Sequence, residues 1–104
     1  PDDNRQRGRV TITHYQDLRL RGLDEAESWC RQSDAEDVAA GALIRAQPTT
    51  RHSVTVGGRP GRLCTLALTL PDGTDRVLEQ WLTLGRDGSL LRIDAYEFPR
   101  PRPE

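Results

Sequence analysis

Two histidines, His14 and His52, are the imidazoles available for proton transfer in this chain. Either would need a nucleophile and an orienting acid within hydrogen-bond reach. His14 stands beside Tyr15, and His52 lies among Thr49, Thr50, Arg51 and Ser53. Neither spacing sets up such a relay, so surface or capping roles are expected. Asp94 and Glu97 flank Tyr96. An acid next to a tyrosine inside a pocket can form a base and donor pair, provided that burial raises its pKa towards neutrality. The plainer reading is an exposed acid at a strand edge. Glu79 and Gln80 interrupt an apolar run, and whichever faces inward polarises the interior. Tyr15, Trp29, Trp81 and Tyr96 read as core or interface aromatics. A pocket lined by His14, Tyr15, Trp29, Gln80, Asp94 and Tyr96 would take an apolar or planar ligand. No catalytic residue is assigned.

Cys30 and Cys64 are the two cysteines. Neither has a His or Cys at metal-ligand spacing, so no metal and no cofactor are expected. A disulfide between a helix end and the core face of a long strand is expected, ahead of two buried free thiols. Such a pair implies an oxidising compartment, hence an extracytoplasmic or secreted protein, with a cytoplasmic one as the other reading. The chain begins at Pro1-Asp-Asp without Met, consistent with a removed leader, and has no apolar run long enough to span a membrane.

The elements that would position these residues follow from periodicity. Arg62 to Phe98 reads as three strands. Cys64, Leu66, Leu68 and Leu70 alternate with Leu63, Thr65, Ala67 and Thr69, which is the period of two of a strand. Pro71-Asp-Gly-Thr74 and Gly85-Arg-Asp-Gly88 supply turns. Leu78, Leu82 and Leu84 oppose Val77 and Trp81, so both faces are apolar and both should be covered. Val77, Glu79 and Trp81 are therefore interface candidates, for a homodimer through the sheet or another protein partner. Short turns make the strands antiparallel.

Upstream, Val10 to Tyr15 is β-branched and alternating. Yet Ile12, Tyr15 and Leu18 also recur at helical spacing, and a helix through Arg21 is expected, stopped by Gly22. Leu23 to Cys30 reads as a second, short helix. Ser33-Asp-Ala-Glu36 is a capping box opening a third, which buries Ala35, Val38, Ala39, Ala42 and Leu43. Gln47-Pro48 ends it. Arg51 to Gly57 is then a short first strand. Helices segregated from strands give an α+β fold: three N-terminal helices packed on a curved four-stranded antiparallel sheet. Residues 10–98 form a single domain between a flexible segment, 1–9, and an Arg/Pro tail, 99–104, of polyproline type.

The chain has 104 residues, 35% hydrophobic and 30% charged, with net charge -1. That suffices for one modest core burying roughly 65% of the unfolded surface. It argues against a nucleic-acid partner recognised by bulk attraction. All 15 basic residues are Arg, which reads as the signature of a GC-rich, actinobacterial-type composition. Six acids and one Arg lie between Gly22 and Ile44, and four Arg and no acid between Arg45 and Arg62. This reads as an acidic helix beside a basic strand, or as a self-complementary dimer surface.

Tyr15-Gln-Asp-Leu18, a gap to Gly22, Leu23-Asp-Glu-Ala26, and the closing Trp81-Leu-Thr-Leu-Gly-Arg-Asp-Gly-Ser-Leu-Leu-Arg-Ile93 together resemble the nuclear transport factor 2-like superfamily, the cystatin-like α+β cone. The resemblance covers residues 10–98. It implies a cone with a pocket between helices and sheet, and dimers through the convex face. Members include polyketide-cyclase-like enzymes, steroid isomerases, and secreted domains without chemistry. The function expected is a non-catalytic ligand- or protein-binding domain outside the cytoplasm. The alternative is a small cofactor-free isomerase, cyclase or hydrolase using Asp94 beside Tyr96.

Overall fold

The computed structural model describes residues 9–97, which form β1 (Arg9–Tyr15), α1 (Leu23–Ala39), β2 (Arg45–Val56), β3 (Arg59–Thr69), β4 (Asp75–Leu84) and β5 (Leu90–Glu97). The five strands make an antiparallel sheet in the order β1-β5-β4-β3-β2. The helix lies on one face, against β4 and β2. The segment before residue 9 and the Arg/Pro tail lie outside the described residues; Arg9 itself opens β1.

This corrects the expected architecture at three points. The segment expected as the first helix is β1, which pairs along β5 from Arg9↔Tyr96 to Tyr15↔Leu90. Its β-branched residues fit a pleated surface, and ladder hydrogen bonds to β5 outweigh the weaker helical spacing. The expected second and third helices are one continuous helix, and Ser33 to Glu36 lie inside it. A capping box needs a helix end to cap, and no Gly or Pro interrupts 23–39. The helix ends at Ala39 instead of running to Pro48, with Gly41 at φ +82 just beyond. Ala35, Val38, Ala39 and Ala42 are consequently exposed, and Leu43 is half-buried. Finally, β2 begins at Arg45 and carries Pro48, with a register shift between Pro48 and Thr50. Proline is tolerated there because β2 is the outermost strand and has a bulge. With one helix and five strands, the three-helix α+β cone is replaced, and with it the nuclear transport factor 2-like resemblance. Tyr15 to Leu18 closes a strand and opens a turn, and the motif Leu23-Asp-Glu-Ala26 starts a solitary helix.

The core lies between α1 and the sheet. Ala26 and Cys30 face Cys64, Leu66, Leu68, Leu78, Leu82 and Leu90, all almost fully buried. Each buried leucine removes apolar surface worth about 2 kcal/mol from water. The two cysteines are free thiols, so the expected disulfide and the oxidising-compartment argument built on it fall away. Both thiols serve as small apolar side chains. Burial pushes Cys30 up to about 11 and raises Cys64 as well.

Two tight contacts hold the ends of the layer. Gly61 brings β3 so close to β4 that a Cβ there would stand 2.7 Å from the Leu82 carbonyl oxygen. Gly88, at φ +84, accepts a hydrogen bond from the Leu20 amide at 2.8 Å. The β1–α1 connection is thus tied to the β4–β5 turn.

Candidate functional site

Alternation sorts the strand residues onto two faces. The register pairs Cys64 with Gln80 and Gln80 with Asp94 on the helix side. It pairs Leu63 with Trp81, Trp81 with Ile93 and Ile93 with Ile12 on the other.

On the helix side a chain of polar contacts crosses the core. Asp34 contacts Arg31 Nε through Oδ2 at 3.1 Å. Arg31 Nη2 donates to Gln80 Oε1. Gln80 Nε2 donates to Asp94 Oδ1 at 3.3 Å. Arg92 Nε donates to both Asp94 oxygens, at 3.0 and 2.9 Å, and its Nη2 lies 2.9 Å from Oδ2. Gln80 is 0% exposed and Asp94 7%. Burial opposes the Arg92 charge, but the hydrogen bonds and attraction of Asp94 outweigh it and hold the guanidinium above its ordinary pKa. Burial pushes the Asp34 carboxyl up, while Arg31 and Arg92 pull it down less strongly. Both Asp94 oxygens already accept hydrogen bonds, so this acid is a counter-ion to Arg92.

Beside this chain a cavity of ≈ 490 Å³ opens between the end of α1 and the sheet. Leu43, Leu68, Leu70 and Leu78 line it, with Asp34, Arg92 and Tyr96. Burial raises the Tyr96 hydroxyl pKa.

The six expected pocket residues therefore separate. Gln80, Asp94 and Tyr96 share the helix side. Tyr15 and Trp29 pack edge to face, with ring centroids 4.7 Å apart, away from that cavity. His14 lies on the opposite face, paired in register with Leu91, and its Nε2 is 3.1 Å from Ser89 Oγ. His52 is also on that face and exposed. Sequence reasoning missed Arg31, Asp34 and Arg92. Their signals are local but weak: an i,i+3 pair on a helix and an i,i+2 pair on one strand face. Among the described residues no group of three His, Cys, Asp or Glu side chains converges to hold a metal.

The open face has a different make-up. A row of Ile12, Ile93, Trp81 and Leu63 runs straight across four strands. Ile12 is 67% exposed, Val10 65% and Val77 42%. By register, charge sits at the ends of the face, with Arg45 and Asp75 at one and Arg59 at the other. Between them, up to Tyr96, Glu79 is the one ionised position.

The acidic and basic stretches of the sequence meet elsewhere, within the chain. Arg62 Nη1 donates to Asp24 at 2.6 Å and to Glu27 at 2.8 Å. Arg51 lies 3.2 Å from Glu27. Among the described residues, no helix is long and apolar enough to cross a membrane.

No family model matches the chain, and no curated protein matches it. Among solved structures it is similar to PA94 of Pseudomonas aeruginosa, a protein of unknown function, at 15% identity and a TM-score of 0.48, over 95% of this chain and 87% of that one.

Proposed function

We propose that this is a non-catalytic protein-binding domain that works through its open sheet face, and that the occupant of that face is a second copy of the chain. The observation that carries this is the uncovered apolar row Ile12–Ile93–Trp81–Leu63, on a face whose charge lies mostly at its ends, with Glu79 between them. An apolar centre with a polar rim is the anatomy of a protein interface. Monomers rarely leave apolar patches of more than a few hundred Å² in water. Five strands at about 4.8 Å and about eight residues at about 3.4 Å give a face of roughly 650 Å². That approaches the ~800 Å² per partner of a stable interface.

Charge balance favours self-association. A two-fold pair sets the same patch against itself, so a strongly one-signed face would repel its copy. By register, Arg45 and Arg59 stand against Asp75, Glu79 and Glu97, so the face is of mixed sign. No basic field is presented to a phosphate backbone or an anionic lipid surface.

Sedimentation velocity tests the reading. The wild-type chain is expected to run as a dimer at micromolar concentration. Ile12→Glu and Val77→Glu, at exposed positions that leave the core intact, are expected to run as monomers with unchanged circular dichroism. A wild-type monomer at high micromolar concentration, or variants that still pair, would sink it.

A further inference from the structure

Glu79 stands at the centre of the open face. Its strand, β4, is the third of five in the sheet order, and Glu79 is the fifth of its ten residues. Thr65 on β3 and Ala95 on β5 flank it, and Val77 and Trp81 precede and follow it on the same face of its own strand. Glu79 is half-buried, and among the described residues it has no counter-ion and no hydrogen-bond partner. We propose that this carboxylate controls the pairing of the open faces: two copies join with uptake of a proton at Glu79, so acid tightens the pair and higher pH loosens it. Control of this kind rests on the pairing of the open faces and adds its regulation.

Two copies bury the most area when the centres of their faces coincide. A two-fold axis lying between the sheets then passes close to Glu79. Each Glu79 meets either its own copy or the partner's apolar row. A like charge and an apolar cover both disfavour the charged form of a carboxylate. Two carboxylates near an axis take up protons as a pair. Such an axis also keeps each residue at its own distance from the centre, so charges at the ends of one face stay away from the middle of the other.

The remaining charged and titratable groups on this face supply no cation at the centre. On β2, Arg45 and His52 lie about 10 Å across from β4, at about 4.8 Å per strand. Arg45 also donates to Gln47. On β3, Arg59 lies beyond the pair Gly61↔Thr83, and its Nη1 donates to the Leu84 carbonyl at 3.3 Å. On β1, His14 pairs with Leu91, with its Nε2 3.1 Å from Ser89 Oγ. Asp75 opens β4, and Glu97 stands by register beside Val77; both have the sign of Glu79. The helix and its charges lie on the opposite face, against β4 and β2.

Sedimentation equilibrium of the full chain at about pH 7.5 and about pH 5, with circular dichroism as the check on folding, tests the control. The wild type is expected to pair at least about tenfold more tightly at the lower pH, since each proton taken up contributes up to tenfold per pH unit. Glu79→Gln keeps the shape and removes the charge. It is expected to pair at the higher pH as tightly as the wild type does at the lower, with the pH dependence lost. If Glu79→Gln does not fold, Glu79→Thr serves the same purpose. Asp75→Asn, and a double His14→Gln, His52→Gln variant, are expected to keep the dependence, which assigns it to Glu79. Equal pairing of the wild type at both pH values overturns the proposal, as does a Glu79→Gln variant that still tightens in acid. A wild type and a Glu79→Gln variant that both stay monomeric at both pH values overturn the pairing itself, and this control with it.

Discussion

The two faces of the sheet solve opposite problems with the same strands. Under the helix, charges are buried and each is given a partner: Arg92 with Asp94, Arg31 with Asp34, and Gln80 between them. On the open face, Val10, Ile12 and Val77 are exposed, Leu63, Trp81 and Ile93 are half-buried, and charge other than Glu79 lies towards the ends. Burying an ion is tolerable only with its counter-ion in place. A broad apolar face left in water is uncommon in a monomer. The first arrangement is complete within one chain, and the second would be completed by the proposed pairing. Substitutions on the helix side should therefore be read out as folding stability, and those on the open face as association.

The strongest break of this contrast is Arg92→Ala. It leaves Asp94 charged and buried and should cost about 4 kcal/mol in urea unfolding. A paired Arg92→Leu, Asp94→Leu variant should recover much of that loss, because the penalty lies in the orphaned charge. Next, Leu66→Ala, at 1% exposure, should cost about 3 kcal/mol. Ile12→Ala on the other face should cost the isolated monomer about 0.5 kcal/mol, the scale of an exposed position, while weakening the proposed dimer. If Ile12→Ala destabilised the monomer as much as Leu66→Ala, the distinction between the faces would be wrong.

A smaller effect follows from Asp34. Burial raises its pKa above the ordinary carboxylate value. The folded chain then holds that proton to higher pH than the unfolded chain, so stability falls as pH rises through the interval between the two values. Asp34→Asn should remove this part of the pH dependence, measured as urea midpoints across the acidic range. Last, both thiols should be countable without reductant after unfolding, and the native protein should react slowly with a thiol reagent. Burial raises both pKa values and keeps the thiolate scarce.

Residues 62–97 read as strands because alternation and turn chemistry agree there, although β3 begins three residues earlier, at Arg59. Leu66 and Leu68 share a face, and Pro71 to Thr74 and Gly85 to Gly88 have turn composition. The same alternation groups Val77, Glu79 and Trp81 on one face. Upstream, local signals pointed away from the result. Ile12, Tyr15 and Leu18 have helical spacing, but the ladder to β5 lies about eighty positions away in sequence. The capping-box pattern Ser33-Asp-Ala-Glu36 divides the helix in two when read from sequence. Asp34 occupies a core position, and what makes this acceptable, the link through Arg31 to Gln80 and Asp94, comes from distant strands. A thin stripe of Ala26, Cys30 and Asp34 gives a weak amphipathic signal. Pro48 looked like a stop, and only its place on an outermost strand makes it compatible with β2. Gln80 is visible as a candidate because it interrupts an apolar run, and Asp94 and Tyr96 because an acid stands beside a tyrosine. Their partner Arg92 was hidden among fifteen arginines with nothing to distinguish it.

Pro48 has a consequence for how copies of this chain can add up. A sheet whose outer strand is straight and fully hydrogen-bonding invites another sheet alongside, and that addition repeats without limit, as in amyloid. In β2 the proline lacks an amide hydrogen, and the register slips beside it between Pro48 and Thr50. Lateral growth is blunted on that side, whereas the proposed pairing uses the open faces. Pairing of that kind consumes the surface that drives it, so it would stop at two and not propagate into a fibre.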